Sequence, residues 1–160
     1  MKIANELDVS NFYVEQWTPA TFFPMENQYF LGELDATELP WLQAELPLAS
    51  LREEWNQLYE EIHGLFRNRE KQTIPVLMAR ASAVFIRLLF WSNQQPVQLK
   101  FLLERIETLE IKPANIGDRL GFIISNPLIH HSIVQLSELM LEQQKKYYKY
   151  LAMKKRATNK

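Results

Sequence analysis

Seven Lys and Arg residues fall between Lys145 and the end of the sequence, and no acidic residue follows Glu142. Lys145, Lys146, Lys149, Lys154, Lys155 and Arg156 are interleaved with Tyr147, Tyr148 and Tyr150. Ammonium groups neutralise phosphates, and tyrosine rings stack on unpaired bases. The stretch therefore offers a nucleic-acid-binding surface whose contacts would be Lys145, Lys146, Tyr148, Lys149, Lys154, Lys155 and Arg156. A plainer reading is a solvated helix end, where cations complement the negative pole of the helix dipole.

A second set of charges lies inside the most apolar run of the chain, Ile74 to Asn93. Arg80 and Arg87 are seven residues apart, so on a helix they share one stripe about 10 Å apart along the axis. Glu54 and Glu61 have the same separation at the edge of the preceding amphipathic segment. An antiparallel hairpin with its loop near residue 71 sets Glu61 opposite Arg80 and Glu54 opposite Arg87. The expected result is two structural ion pairs, since an unpaired buried charge is costly. The alternative is a cleft in which Arg80 and Arg87 bind an anion or small molecule, phosphate being the natural ligand for a pair of guanidinium groups.

Other chemistries find little support. The chain has no cysteine, which removes disulfides, thiolate metal sites and cysteine nucleophiles and suits a reducing compartment. His130 and His131 are adjacent and cannot share a helix face. Glu60 precedes His63 by the three residues of a carboxylate metal motif, but such sites use two copies and the sequence has one. No metal site, no cofactor and no catalytic residue is expected. Gly117 and Gly121 are four apart, yet no strand precedes them, so they do not form a phosphate loop. Close packing against a neighbouring helix is the reading for both.

The elements that must position these residues are helical. Pro75 suits a first helical turn, and no Gly or Pro recurs before Pro96. The run in between is apolar in almost every direction, which marks a core helix or a membrane span. Each arginine would cost about 2.5–3.5 kcal/mol near a bilayer centre, so a buried core helix at about 75–92 is expected and no membrane span. Ser50 and Glu53 form a capping box ahead of an amphipathic helix, with Leu51, Trp55, Leu58, Tyr59, Ile62, Leu65 and Phe66 on one arc. Pro96 is expected to open a further helix to about Glu110. Asn115 is expected to cap a short one, with Asp118 in its first turn. A last helix should run from about His131 to Lys154 and fray beyond.

The first 40 residues differ. Phe12, Tyr13, Trp17, Phe22, Phe23, Tyr29 and Phe30 crowd together, broken by Pro19, Pro24 and Gly32 and interspersed with acids. A disordered tail seldom carries so many rings. An arm packed on the helical body is expected. Its sharper alternative is a docking segment that meets a partner protein through Trp17, Phe22, Phe23, Tyr29 and Phe30, since aromatic anchors are common interface hot spots. Charge follows the same division. Residues 1–70 hold 4 Lys/Arg against 13 Asp/Glu, and residues 71–160 hold 14 against 6, within an overall −1. Such asymmetry suits one half folding against the other. The sequence opens without the basic start and apolar run of a secretory signal, and a cytoplasmic location is expected.

From about Trp41 onward the sequence resembles the YpoC-like α-helical family of Firmicutes proteins. FIRLLFW at 85–91, LEIKPANIGDRLGFI at 109–123 and NPLIHHSIVQLSEL at 126–139 carry the resemblance. It implies an all-α bacterial protein and transfers no catalytic residue; the aromatic arm lies outside it. The expectation is an all-α bundle of about five helices around the 75–92 helix. The arm would occupy residues 1–40, the helical domain 41–156, and a disordered tail 157–160. The leading function is a non-catalytic protein-interaction adaptor, then an accessory nucleic-acid-binding protein, then an anion binder.

Overall fold

A computed structural model describes residues 2–7, 22–35, 37, 39–43 and 46–158. Six α-helices span them: α1 Pro24–Phe30, α2 Leu46–Arg67, α3 Ile74–Ser92, α4 Leu102–Ile106, α5 Ile116–Ser125 and α6 His130–Thr158. Single 3₁₀ turns at Asn5–Leu7 and Pro40–Leu42 complete the elements, and no strand occurs among the described residues. The chain is an all-α bundle.

The centre of the bundle is α3. Fifteen of its 19 residues are buried, including Phe85, Ile86, Leu89 and Phe90. It is long and apolar enough to cross a bilayer, but α2, α6 and the Pro40–Leu42 turn pack around it, so its apolar surface is spent inside the protein. Small side chains at Ala79, Ala81, Ser82 and Ala83 let neighbours approach its axis closely. The most extensive contact is with α2, as the hairpin reading requires. The turn between them is closed by Arg69, whose φ of 55° takes the chain through the left-handed region.

Three expected boundaries move. Helix α2 begins at Leu46 rather than Ser50, with Pro47 in the first turn, where its missing N–H costs nothing. Ser50 therefore lies inside the helix and the capping box with Glu53 is not used. The helix expected from Pro96 shrinks to the five residues of α4. Val97 and Leu99 instead point inward in alternation along an extended segment, and Phe101 at φ 56° turns the chain into α4. The backbone N–H of Leu99 donates to the Glu6 carbonyl (2.8 Å), and that of Val97 donates to Oε2 of Glu26 (3.3 Å). Those donors are taken by the N-terminal arm, so no helix forms there. At the other end α6 continues to Thr158, past the expected Lys154 and into the expected tail.

The described part of the arm is built into the body. Leu7 and Phe23 are fully buried in the same core as α3. Asn27 straps the Lys2–Leu7 stretch to α1, accepting from the Ala4 N–H (2.8 Å) and donating to the Lys2 carbonyl (3.1 Å). Glu26 is fully buried and accepts from the Trp91 indole (2.8 Å), which ties α1 to the end of α3. Burial pushes its carboxyl above the ordinary value, against the opposing hydrogen bonds and the nearby Arg87 guanidinium.

A polar knot fixes α6 to the rest. The Gln143 amide donates to Ser92 Oγ (2.7 Å) and to the Ile111 carbonyl (2.9 Å). Asn93 exchanges hydrogen bonds with the backbone of Ile111 in both directions, each 2.8 Å. Gln143 sits in the apolar stripe of α6 and is completely buried; these partners satisfy the amide nitrogen that burial would otherwise strand. Close packing at the expected glycines is also present. Gly117 accommodates the Glu107 carboxylate, which accepts from its N–H (2.8 Å) and so caps α5, while Gly121 lies against Leu103. Asn115 occupies the N-cap position at φ 55° and makes no side-chain cap hydrogen bond, so Glu107 performs the role expected of it.

Candidate nucleic-acid interface

Helix α6 buries Ile133, Leu136, Leu139, Met140, Gln143 and Tyr147 along one side. That periodicity dictates where the cations go. At 100° per residue, Lys145, Lys149 and Arg156 fall within about 40° of one another on the side opposite the core, and span about 16 Å of axis. All three are exposed, as are Lys146, Lys154 and Lys155. Every described residue from Ala152 to Thr158 is exposed, so the end of the helix is open to water around its circumference. The preceding acid is neutralised locally. Glu142 receives two hydrogen bonds from the Arg119 guanidinium, at 2.9 and 3.0 Å. The hydrogen bond from Arg119 holds the Glu142 carboxyl below its ordinary value, so it stays ionised and paired. Six cations then follow with no carboxylate on the same helix.

The tyrosines divide. Tyr147 is buried in the core and Tyr150 is half-buried against it, with Lys154 Nζ 6.0 Å from its ring centroid. Of the three, Tyr148 alone is exposed, at 44%. Arg52 of α2 lies over it, with the guanidinium carbon 5.7 Å from the centroid. Sequence reasoning missed Arg52 because it belongs to the acidic half of the chain. The available signal was its isolation: between Lys2 and Arg67 it is the only Lys or Arg.

The remaining expected sites separate in the same way. Arg87 donates to both carboxylate oxygens of Glu54, each at 3.1 Å. Arg80 and Glu61 do not pair. Both are exposed, and Arg80 has no ion pair among the described residues. The physical reason is solvent: an ion pair between two fully hydrated long side chains contributes about 0–1 kcal/mol and must overcome their loss of rotamer freedom. Arg87 is held in place by partial burial beside Glu26, so its pair persists. Arg80→Ala is accordingly expected to change unfolding free energy by less than about 0.5 kcal/mol. Arg87→Ala should cost about 1 kcal/mol or more through lost packing of its stem as well as its charge. Paired urea titrations check the contrast.

Among the arm's aromatics, Phe23 is fully buried and cannot meet a partner as expected; the apolar core claims it. Phe22 and Phe30 are half-buried, and Tyr29 is 37% exposed with its ring edge-on to Trp41 at 5.1 Å. Trp17 lies outside the described residues.

His63, the histidine of the single Glu60–His63 motif, is half-buried between Tyr59 (4.3 Å between centroids) and His130 (5.3 Å). The described residues contain no cluster of three or more metal-ligating side chains around it. Burial, then His130 and Arg67, hold His63 below the ordinary histidine value, against a weaker pull from Glu60. The folded state thus binds its proton less readily than the unfolded chain. The associated stability is full above about pH 6.5 and is lost as pH falls through that value. The urea midpoint should drop between about pH 7.5 and pH 5.5, and His63→Phe should reduce the drop.

The family model described as YpoC-like protein matches residues 45–155. The chain belongs to the YpoC-like family. Uncharacterized protein YpoC of Bacillus subtilis (strain 168) is 30% identical to it over 125 residues, covering 78% of this chain and 76% of that one. No solved structure matches. The YpoC-like match runs from the start of α2 through Lys155, so it takes in α2 to α5, Arg52 and most of α6 with its basic end, and leaves the arm with α1 outside. Neither the family description nor the relative's name states a catalytic activity.

Proposed function

We propose that this YpoC-like protein is a non-catalytic nucleic-acid-binding protein of the bacterial cytoplasm, with the basic end of α6 as its contact surface. The observation that carries the reading is the run of six exposed Lys and Arg residues between Gln143 and Thr158, unrelieved by any acid and set on a helix end open to solvent. A polyanion gains from such a surface by releasing its condensed counterions. The single exposed ring among these cations, Tyr148, adds a contact that a merely solvated helix end has no use for. The adaptor reading through the arm has less support, because Phe23 is committed to the core and Tyr29 packs on Trp41. The anion-binder reading has less support because Glu54 already occupies Arg87 and Arg80 stands apart from it.

The test is a fluorescence-anisotropy titration of labelled single- and double-stranded oligonucleotides with the full chain. Binding with a dissociation constant of about 1–100 μM at physiological salt is expected, the range of sequence-independent contact. No change in anisotropy even at low salt would remove the proposal and return the adaptor reading to first place.

A further inference from the structure

We infer that Tyr148 and Arg52 form a stacking platform that makes the basic end of α6 selective for single-stranded over double-stranded nucleic acid. This rests on the nucleic-acid reading above and goes beyond it by naming the strand state recognised and the two side chains that recognise it.

Tyr148 is supported by the buried Tyr147 ring, whose centroid is 6.0 Å away, and is covered in part by the Arg52 guanidinium at 5.7 Å. It is thus an aromatic plane fixed by contacts from its own helix and from α2, and still 44% exposed. A ring fixed in advance gives up little conformational freedom when a second plane stacks on it. Its surroundings suit a nucleotide. Lys145, three residues before it, and Lys155, seven after, lie along the same side of the helix, about 5 and 10 Å away along the axis. The residue one turn on is Ala152, too short to cover the ring. A base on Tyr148 therefore has cations within reach of the phosphates on both sides of it. Arg52 adds a planar, always-charged guanidinium, which pairs with phosphate and also stacks on bases.

Only an unpaired strand can use this platform. Bases in a duplex are stacked within the helix and show the protein their edges and phosphates, whereas an unpaired base can turn its face to an aromatic side chain. A duplex would meet the cations alone.

The experiment compares one sequence as a single strand and as a duplex, by anisotropy, with the full chain and its variants. Circular dichroism melting verifies that each variant is folded, which the exposure of Tyr148 makes the expected result. Tyr148→Ala is expected to weaken single-strand binding about five- to hundredfold, the range for loss of one stacked base, and to leave duplex binding unchanged within about twofold. Tyr148→Phe, which keeps the ring, should retain single-strand binding. Arg52→Lys, which keeps the charge and loses the plane, should narrow the preference for single strands. If Tyr148→Ala leaves single-strand binding intact, or weakens both strand states equally, the platform is overturned. If that happens while charge reversal at Lys145, Lys149 and Arg156 abolishes binding, the nucleic-acid reading stands without it. If the unmodified chain binds neither strand state, both fall together.

Discussion

Phe85→Ala is expected to lower the free energy of unfolding by about 3–5 kcal/mol. Phe85 is fully buried near the middle of α3, the helix that α2 and α6 surround. Removing its ring loses the transfer free energy of the side chain and leaves a cavity, because neighbours on two sides are themselves held by other contacts and cannot collapse inward. Set against the 5–15 kcal/mol of an ordinary domain, that is a large share of total stability. Equilibrium urea denaturation should show a lower midpoint with an unchanged slope. Phe101→Ala provides the contrast, since Phe101 is 55% exposed and its loss should change stability by less than about 0.5 kcal/mol. A Phe85→Ala cost below about 1 kcal/mol would mean that α3 is not the core of the bundle.

The second large effect concerns binding. Reversing charge at Lys145, Lys149 and Arg156 together is expected to weaken nucleic-acid binding at low salt by at least about a hundredfold. The three side chains face away from the core on one stripe, so their replacement by glutamate removes three phosphate contacts and adds three repulsive charges without touching a buried contact. The cost from the helix dipole falls on Arg156 alone, the one of the three in the last turn of α6, and is about 0.3–1 kcal/mol. The variant should therefore remain folded at room temperature by circular dichroism. Reversal at Glu53 and Glu60, exposed acids of α2, is the matched control, and it should preserve or strengthen binding. Equal loss in both variants would point to damage to the fold rather than to a binding surface.

How much of this was legible in the sequence depends on the range of the interactions involved. The central helix could be read because its signal is local: Ile74 to Ser92 is apolar in nearly every direction, and arginines at 80 and 87 argue against lipid. The all-α class followed from similar periodicity elsewhere. The segment after Pro96 could not be read as extended. Val97 and Leu99 alternate over too few residues to outweigh the helical spacing of Leu99, Leu102, Leu103 and Ile106. The hydrogen bonds that decide the matter come from Glu6 and Glu26, on an arm some 70 or more residues away in sequence. Gln143 holds the end of α3 and the Ile111 segment to α6 through partners more than 30 residues away, which no local pattern reveals. At the basic end, the lysines and their exposure were legible, because every cation there lies in one local run. The choice of Tyr148 as the contacting ring was legible too, since Tyr147 is buried and Tyr148 exposed; what covers that ring was not, because it depends on where α2 crosses α6. Arg52, the residue that completes the Tyr148 platform, comes from α2 itself. Arg80 failed for the opposite reason. The register placed Glu61 opposite, but register alone does not hold two hydrated side chains together.

The most direct test of the central claim, that the basic end of α6 binds nucleic acid through its cations, is the salt dependence of binding to a labelled single-stranded oligonucleotide. Affinity would be measured by anisotropy across a salt series for the unmodified chain and for the variant reversed at Lys145, Lys149 and Arg156. Log K should fall linearly with log salt, with a slope of about −3 for roughly four phosphate contacts, and the variant's slope should be close to zero. Binding that is absent at the lowest salt, or that keeps the same slope in the variant, would contradict the claim.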